Sequence, residues 1–100
     1  MELIPVYDSQ KSFYGRATTE KGKDGYYLYS YNVEVFFIPY DNGGNDGSGN
    51  EMRLLWRGYS ATTSRHIREF IRQYATDWQK RNLSDKITKS EIESLYKGRK

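Results

Sequence analysis

One helical stripe, in a chain otherwise patterned for strands, limits the fold more than any other feature. Thr63, Ile67, Phe70, Ile71, Tyr74 and Trp78 recur at steps of three and four, which gathers them into one arc of a helix. Ser60 precedes them as an N-cap, because its hydroxyl can accept from the open amides of a first turn. Arg81 would fall within the same arc, so the helix is predicted to run from about Ser60 to Gln79. A second start lies further on, where Thr88 with Glu91 forms a capping box and Ile87 with Ile92 a hydrophobic staple. That helix is predicted over about 88–97, ending at Gly98.

Upstream of Ser60 the period is two. Residues 2–7 are β-prone, but Pro5 cannot donate to a ladder, so this segment belongs at an edge or is irregular. Asp8 to Lys11 reads as a turn. Phe13 to Thr19 reads as a strand in which Gly15 marks a bulge or close approach, and Gly22-Lys23-Asp24-Gly25 reads as a hairpin turn. From Tyr27 the alternation places Tyr27, Tyr29, Tyr31, Val33, Val35 and Phe37 on one face, with Ser30, Asn32 and Glu34 on the other. At Phe36, Phe37 and Ile38 both parities become apolar. The end of this strand is therefore either covered on both sides or paired outside the domain, which makes Phe36, Ile38 and Tyr40 candidates for partner contact. Residues 41–50 carry no apolar side chain and read as a mobile Gly-rich hairpin loop. Met52, Leu54 and Trp56 alternate with Arg53, Leu55 and Arg57 in a half-buried return strand ending near Tyr59. The expected fold is α+β: an antiparallel β-meander of about four strands packed on one long helix, with a second short C-terminal helix.

A chain of 100 residues fits one domain over 1–100. Hydrophobic residues make up only 36% while aromatics reach 16%, ten of them Tyr, so tyrosine is expected as the main core material, with phenol oxygens reaching water at the core's edge. Cysteine is absent, which excludes disulfides and thiolate chemistry and suits a reducing compartment. The first residues lack a basic segment followed by an apolar one, and no apolar run approaches the roughly 20 residues of a membrane helix. A bacterial host cytosol is the expected location. The net charge of +3 hides an asymmetry: residues 1–50 carry four Lys/Arg against seven Asp/Glu, and residues 51–100 carry twelve against six. A basic half permits contact with nucleic acid or an acidic protein surface, and also maintains solubility.

Arg65, Arg68 and Arg72 fall within about 60° of one another on the helix wheel. Such a stripe can hold phosphates bidentately while Trp56 or Tyr59 stacks bases, although Glu69 is spaced to pair with Arg65 and Arg72. His66 is the only imidazole, so a metal would have to rely on carboxylates for its other ligands, and no metal site is expected. It borders the apolar arc and is expected to pack against the sheet. A Ser-His-Asp set can be drawn from Ser60 or Ser9, His66 and Asp8 or Asp77, but its spacing is unspecific. Gly43-Gly44 precedes a strand rather than a helix, which removes a phosphate cradle. Asp41, Asn42, Asn45 and Asp46 miss the calcium-loop spacing. The residues predict neither an enzyme nor a cofactor.

Two segments carry a resemblance: Tyr7-Asp8-Ser9-Gln10-Lys11-Ser12-Phe13-Tyr14-Gly15-Arg16-Ala17 and Tyr59-Ser60-Ala61-Thr62-Thr63-Ser64-Arg65-His66-Ile67-Arg68-Glu69-Phe70-Ile71, with Leu28 to Val35 between them. Over residues 6–74 the chain resembles a family of small uncharacterised proteins encoded by phages and mobile elements of Firmicutes. It departs from that pattern at Val33, in residues 41–50 and after Gln79. The resemblance implies origin rather than a reaction. Small phage-encoded domains often bind a host protein, and anti-CRISPR inhibitors are the analogous class of this size. The expected function is thus a non-enzymatic accessory protein that inhibits a host factor by direct binding, with a CRISPR nuclease as the named target. The alternative is a small nucleic-acid-binding or regulatory module built on Arg65, Arg68 and Arg72.

Overall fold

The computed structural model describes residues 1–4, 6, 16–40, 52–56 and 60–96. The expected turn at 8–11, the bulge at Gly15, the loop 41–50, Tyr59 and the stop at Gly98 lie outside the described residues. The architecture is α+β. Strands β1 (Ala17–Lys21), β2 (Gly25–Ser30), β3 (Val33–Pro39) and β4 (Arg53–Leu54) form one antiparallel sheet in the order β1-β2-β3-β4, followed by helix α1 (Ala61–Tyr74) and a short helix α2 (Lys89–Glu93).

The β1–β2 hairpin closes where Gly22 and Gly25 predict it, with Gly22 N donating to Gly25 O at 2.8 Å. Gly25 is required by close approach, since a Cβ there would collide with the backbone of Ile38 and Pro39. The long alternation from Tyr27, in contrast, is two strands rather than one. Tyr31 and Asn32 have φ of 53° and 66°, the left-handed pair that a tight two-residue hairpin needs. Asn tolerates that region, but Tyr does so at a cost. Tyr31 is held there by its N–H, which donates to Arg16 O at 2.8 Å, and by the Arg16 guanidinium 5.9 Å from its ring centroid.

A second departure reverses the faces. Leu28 pairs with Phe36 but Tyr29 pairs with Glu34, so Val35 is an extra residue, a β-bulge that shifts parity. The bulge sets Phe36 and Ile38 on the α1 side with Leu28 and Ser30, and Phe37 on the outer side with Tyr27 and Tyr29. Phe36, expected as a binding residue, is fully buried and meets Phe70 edge-on at 6.3 Å. It is a core residue.

The remaining core comes from Leu3, Ala17, Met52, Leu54, Ile67, Ile71, Ile87 and Ile92. Aliphatic side chains and two phenylalanines fill the centre. Tyrosine does not, and Tyr26, Tyr74 and Tyr96 pack only around its margin, where their hydroxyls can reach polar partners. Residues 2–4 form no strand of their own; Glu2 bridges Thr18 and Leu3 N donates to Ala17 O.

Helix α1 starts as predicted, with Ser60 Oγ accepting from Thr63 N at 3.2 Å, but it stops at Tyr74 rather than near Gln79. Thr76 and Gln79 explain this. Thr76 N donates to Gln79 Oε1 and Gln79 N to Thr76 Oγ1, a reciprocal capping arrangement that starts a new turn. Gln79 Nε2 then reaches Pro39 O at 2.7 Å. Trp78 leaves the apolar arc, 39% exposed, with Arg81 stacked 3.9 Å from its ring centroid.

The second helix has its expected box, in which Thr88 Oγ1 accepts from Glu91 N while Glu91 Oε1 accepts from Thr88 N. It is shorter than predicted because the chain turns at Ser94 and Leu95 so that Tyr96 can bridge Leu54 in parallel. Leu54 N donates to Leu95 O at 3.0 Å, and Ile92 is buried, so α2 docks on its own sheet. Among the described residues no helix is long and apolar enough to cross a membrane.

Candidate functional site

The sheet face turned away from α1 is built by the bulge. Across the strands, Glu20, Tyr27, Phe37 and Arg53 stand in one row, and Thr18, Tyr29 and Glu34 in a second. The Tyr27 and Phe37 rings lie 4.7 Å apart, and the Arg53 guanidinium stands 5.8 Å from the Phe37 centroid, so cation, phenyl and phenol interact along the row. In the second row Tyr29 OH donates to Glu34 Oε1 at 3.2 Å. Burial first, and then the negative Glu34 and Glu20, push the Tyr29 hydroxyl above its ordinary value. It remains a neutral donor at physiological pH.

A cleft of about 640 Å³ opens along this face, lined by residues including Lys23, Tyr27, Glu34, Phe37, Tyr40 and Arg53. Tyr40, an expected binding residue, is therefore at the cleft, with its hydroxyl donating to Gly22 O and its ring edge-on to Tyr26 at 5.2 Å. Such a surface can stack planar groups and pair with charges of both signs.

The arginine stripe divides. Arg68 Nε donates to Ile87 O at 2.8 Å, and Arg72 Nη2 donates to Asp85 O and Lys86 O at 3.2 and 3.4 Å. Both bind carbonyls of the segment that leads into α2. Arg72 shares a hollow with Asp77 and Asp85, whereas Arg65 and Arg68 share another with Lys89. Trp56 is 47% exposed at a separate hollow of about 220 Å³, with Tyr31 and Val33 on its rim and Ser30 and Thr63 on its floor. Trp56 thus meets none of the three arginines in these hollows.

His66 is fully buried against the sheet, as its position on the wheel suggests. Its Nδ1 lies 2.8 Å from Ser30 Oγ, which is also 2.7 Å from Thr63 Oγ1. Ser60, drawn above as a nucleophile, uses its hydroxyl on the helix cap instead. Glu69 is 1% exposed, and its Oε2 accepts from Val6 N at 2.9 Å and from Gln73 Nε2. The carboxylate expected to balance the stripe thereby anchors Val6, and Gln73 Nε2 also donates to Ile4 O at 2.8 Å. Among the described residues no group of three His, Cys, Asp or Glu could hold a metal ion.

Sequence reasoning missed Tyr27, Phe37 and Arg53 as a set. The signal that could have found them was the doubled apolar parity at Phe36 and Phe37, which a bulge produces when both faces of a strand are in use. No curated protein and no solved structure matches the chain. A family model does match, over residues 1–94, and the chain belongs to that family of unknown function, DUF8033.

Proposed function

We propose that this chain is a binding module that engages a protein partner through the outer face of its sheet. The observation that carries the reading is the row Glu20–Tyr27–Phe37–Arg53 beside an open cleft. Aromatic and arginine side chains held by their neighbours are the composition of binding hot spots, because they offer large contact area at little entropic cost. Glu20, Glu34 and Asp24 interleave with Lys23 and Arg53 on and around this face. Mixed charge of this kind works against a phosphate backbone and favours a protein surface bearing both signs. The resemblance to phage and mobile-element proteins makes a host cytosolic factor the first partner class, and a CRISPR nuclease the first named target, for an inhibitor that acts by occupancy.

Capture from host lysate with the wild-type chain and with Arg53→Glu and Tyr27→Ala variants tests the proposal. A partner held by the wild type and lost by both variants, at unchanged melting temperature, supports it. A partner retained by both moves the interface elsewhere, and undiminished nuclease interference in cells expressing the chain removes the CRISPR target.

A further inference from the structure

The positive end of α1 forms a second feature, on the helix side of the sheet and independent of the outer face. A hollow of about 330 Å³ there is lined by Ser60, Ala61, Ser64, Arg65, Arg68 and Lys89. Three of these six are cations, no carboxylate stands among them, and they come from two elements: Arg65 and Arg68 from α1, Lys89 from the first turn of α2. The first turn of α1 contains no acidic residue, so its side chains leave the helix macrodipole uncompensated where the cations converge. The hydroxyl and carbonyl of Ser60 serve Thr63 N and Ser64 N, which fixes the geometry of that turn.

Ser64 supplies the independent observation. It is 6% exposed, and its Oγ is buried with no hydrogen-bond partner. Buried hydroxyls are almost always satisfied, since leaving one unpaired forfeits its hydration without replacement. Ser64 lines the hollow while its unpaired Oγ has no accessible surface, so rotation about its Cα–Cβ bond would turn that donor toward a space lined by three cations and a helix N-terminus, which has the chemistry of an oxyanion site. We propose that this hollow binds a phosphomonoester group, with Ser64 Oγ–H donating to one phosphoryl oxygen and Arg65, Arg68 and Lys89 balancing its charge. A phosphomonoester carries nearly two negative charges at neutral pH, which three cations suit better than one diester charge. The volume lies at the small end of ligand sites, which span about 300–1,000 Å³, so it takes a phosphoryl group with a small substituent. Arg68 links this site to the fold, because its Nε already holds Ile87 O.

The test is an amide chemical-shift titration of the full chain with inorganic phosphate, with glycerol 2-phosphate and with an unphosphorylated single-stranded oligonucleotide, at constant ionic strength. The expected result is saturable movement of the Ala61, Thr62 and Ser64 amides with both phosphates, and none with the oligonucleotide or with chloride. Lys89→Ala and Ser64→Ala should each weaken phosphate binding about fivefold or more. Both leave the fold intact, as Lys89 is exposed and Ala favours a helix interior. Arg53→Glu on the outer face should leave phosphate binding unchanged, which separates this site from the proposed protein interface. Movement equal to that with chloride, or affinity unaltered in both Lys89→Ala and Ser64→Ala, overturns the proposal. Binding of the oligonucleotide through the same amides without response to the monoesters also overturns it, and assigns the hollow to a phosphodiester backbone.

Discussion

The bonds among Ser30, Thr63 and His66 show how single residues join α1 to the sheet. Ser30 Oγ serves both partners from the end of β2, and all three side chains are buried. Ser30→Ala removes one hydrogen bond from each of two buried side chains, so stability should fall by about 1–3 kcal/mol, measured by chemical denaturation. Unchanged stability would mean that the remaining bonds of Thr63 and His66 suffice to hold α1 on the sheet. Phe36→Ala is the sharper discriminator between a core and a binding role. As a core residue it should cost about 3–5 kcal/mol, whereas loss of partner binding at full stability would return it to the surface. The His66 position was legible from its place at the border of the helical arc. Its partner was not, because Ser30 lies 36 positions away and on a face that the unbroken alternation assigned to solvent. Alternation along β2 separates its two faces without saying which one is buried, and the bulge that the doubled apolar parity at Phe36 and Phe37 marks lies on β3, where it leaves the facing of Ser30 unchanged.

At the scale of elements, caps were read more reliably than ends. The Thr88–Glu91 box and the Ser60 cap rest on local chemistry and were visible in order along the chain. The end of α1 was misplaced although Thr76-x-x-Gln79 has the same signature as a helix start, because the spacing of Trp78 continued the apolar arc past it. Glu91 gives α2 a pH dependence. Its carboxylate accepts from Ser84 Oγ at 2.7 Å, from Ser84 N at 2.7 Å and from Thr88 N at 2.8 Å. These bonds, that to the Ser84 hydroxyl first, lower its pKa from 4.5 to about 2. A carboxylate depressed in the folded state stabilises above its unfolded pKa, and that contribution is lost as pH falls through the folded value. Docking of α2 should therefore weaken progressively from about pH 4.5 to pH 2, read by amide exchange at Ser84 and Glu91. Glu91→Gln should flatten the dependence in that window. A variant that keeps the full wild-type slope would place its origin in another carboxylate.

At the scale of the whole molecule, the segment from Asp85 to Tyr96 closes the core from the helix side, and Arg68 is its clasp. Ile87 has a φ of 49°, a conformation that costs a β-branched residue about 1–3 kcal/mol. Its side chain is nonetheless 3% exposed. Two interactions oppose the strain: burial of Ile87 and Ile92, about 1.5–3 kcal/mol each, and the charge-assisted bond from Arg68 Nε to Ile87 O, about 1.5–3 kcal/mol. Since the bond and the strain are of similar size, its removal should loosen the segment while apolar burial keeps it near the sheet. Arg68→Ala is therefore expected to speed exchange about 10- to 100-fold at two amides that report the docking, Leu54 N to Leu95 O and Ile92 N to Thr88 O. The β2–β3 amides on the other side of the core should keep their protection, because their ladder does not depend on the segment. Arg68→Lys retains the charge but not the planar Nε donor, so it should follow the alanine variant rather than the wild type. Equal acceleration at every amide would show that Arg68 supports the whole fold rather than this closure, and wild-type exchange in Arg68→Ala would show that burial alone holds Ile87 in its strained turn.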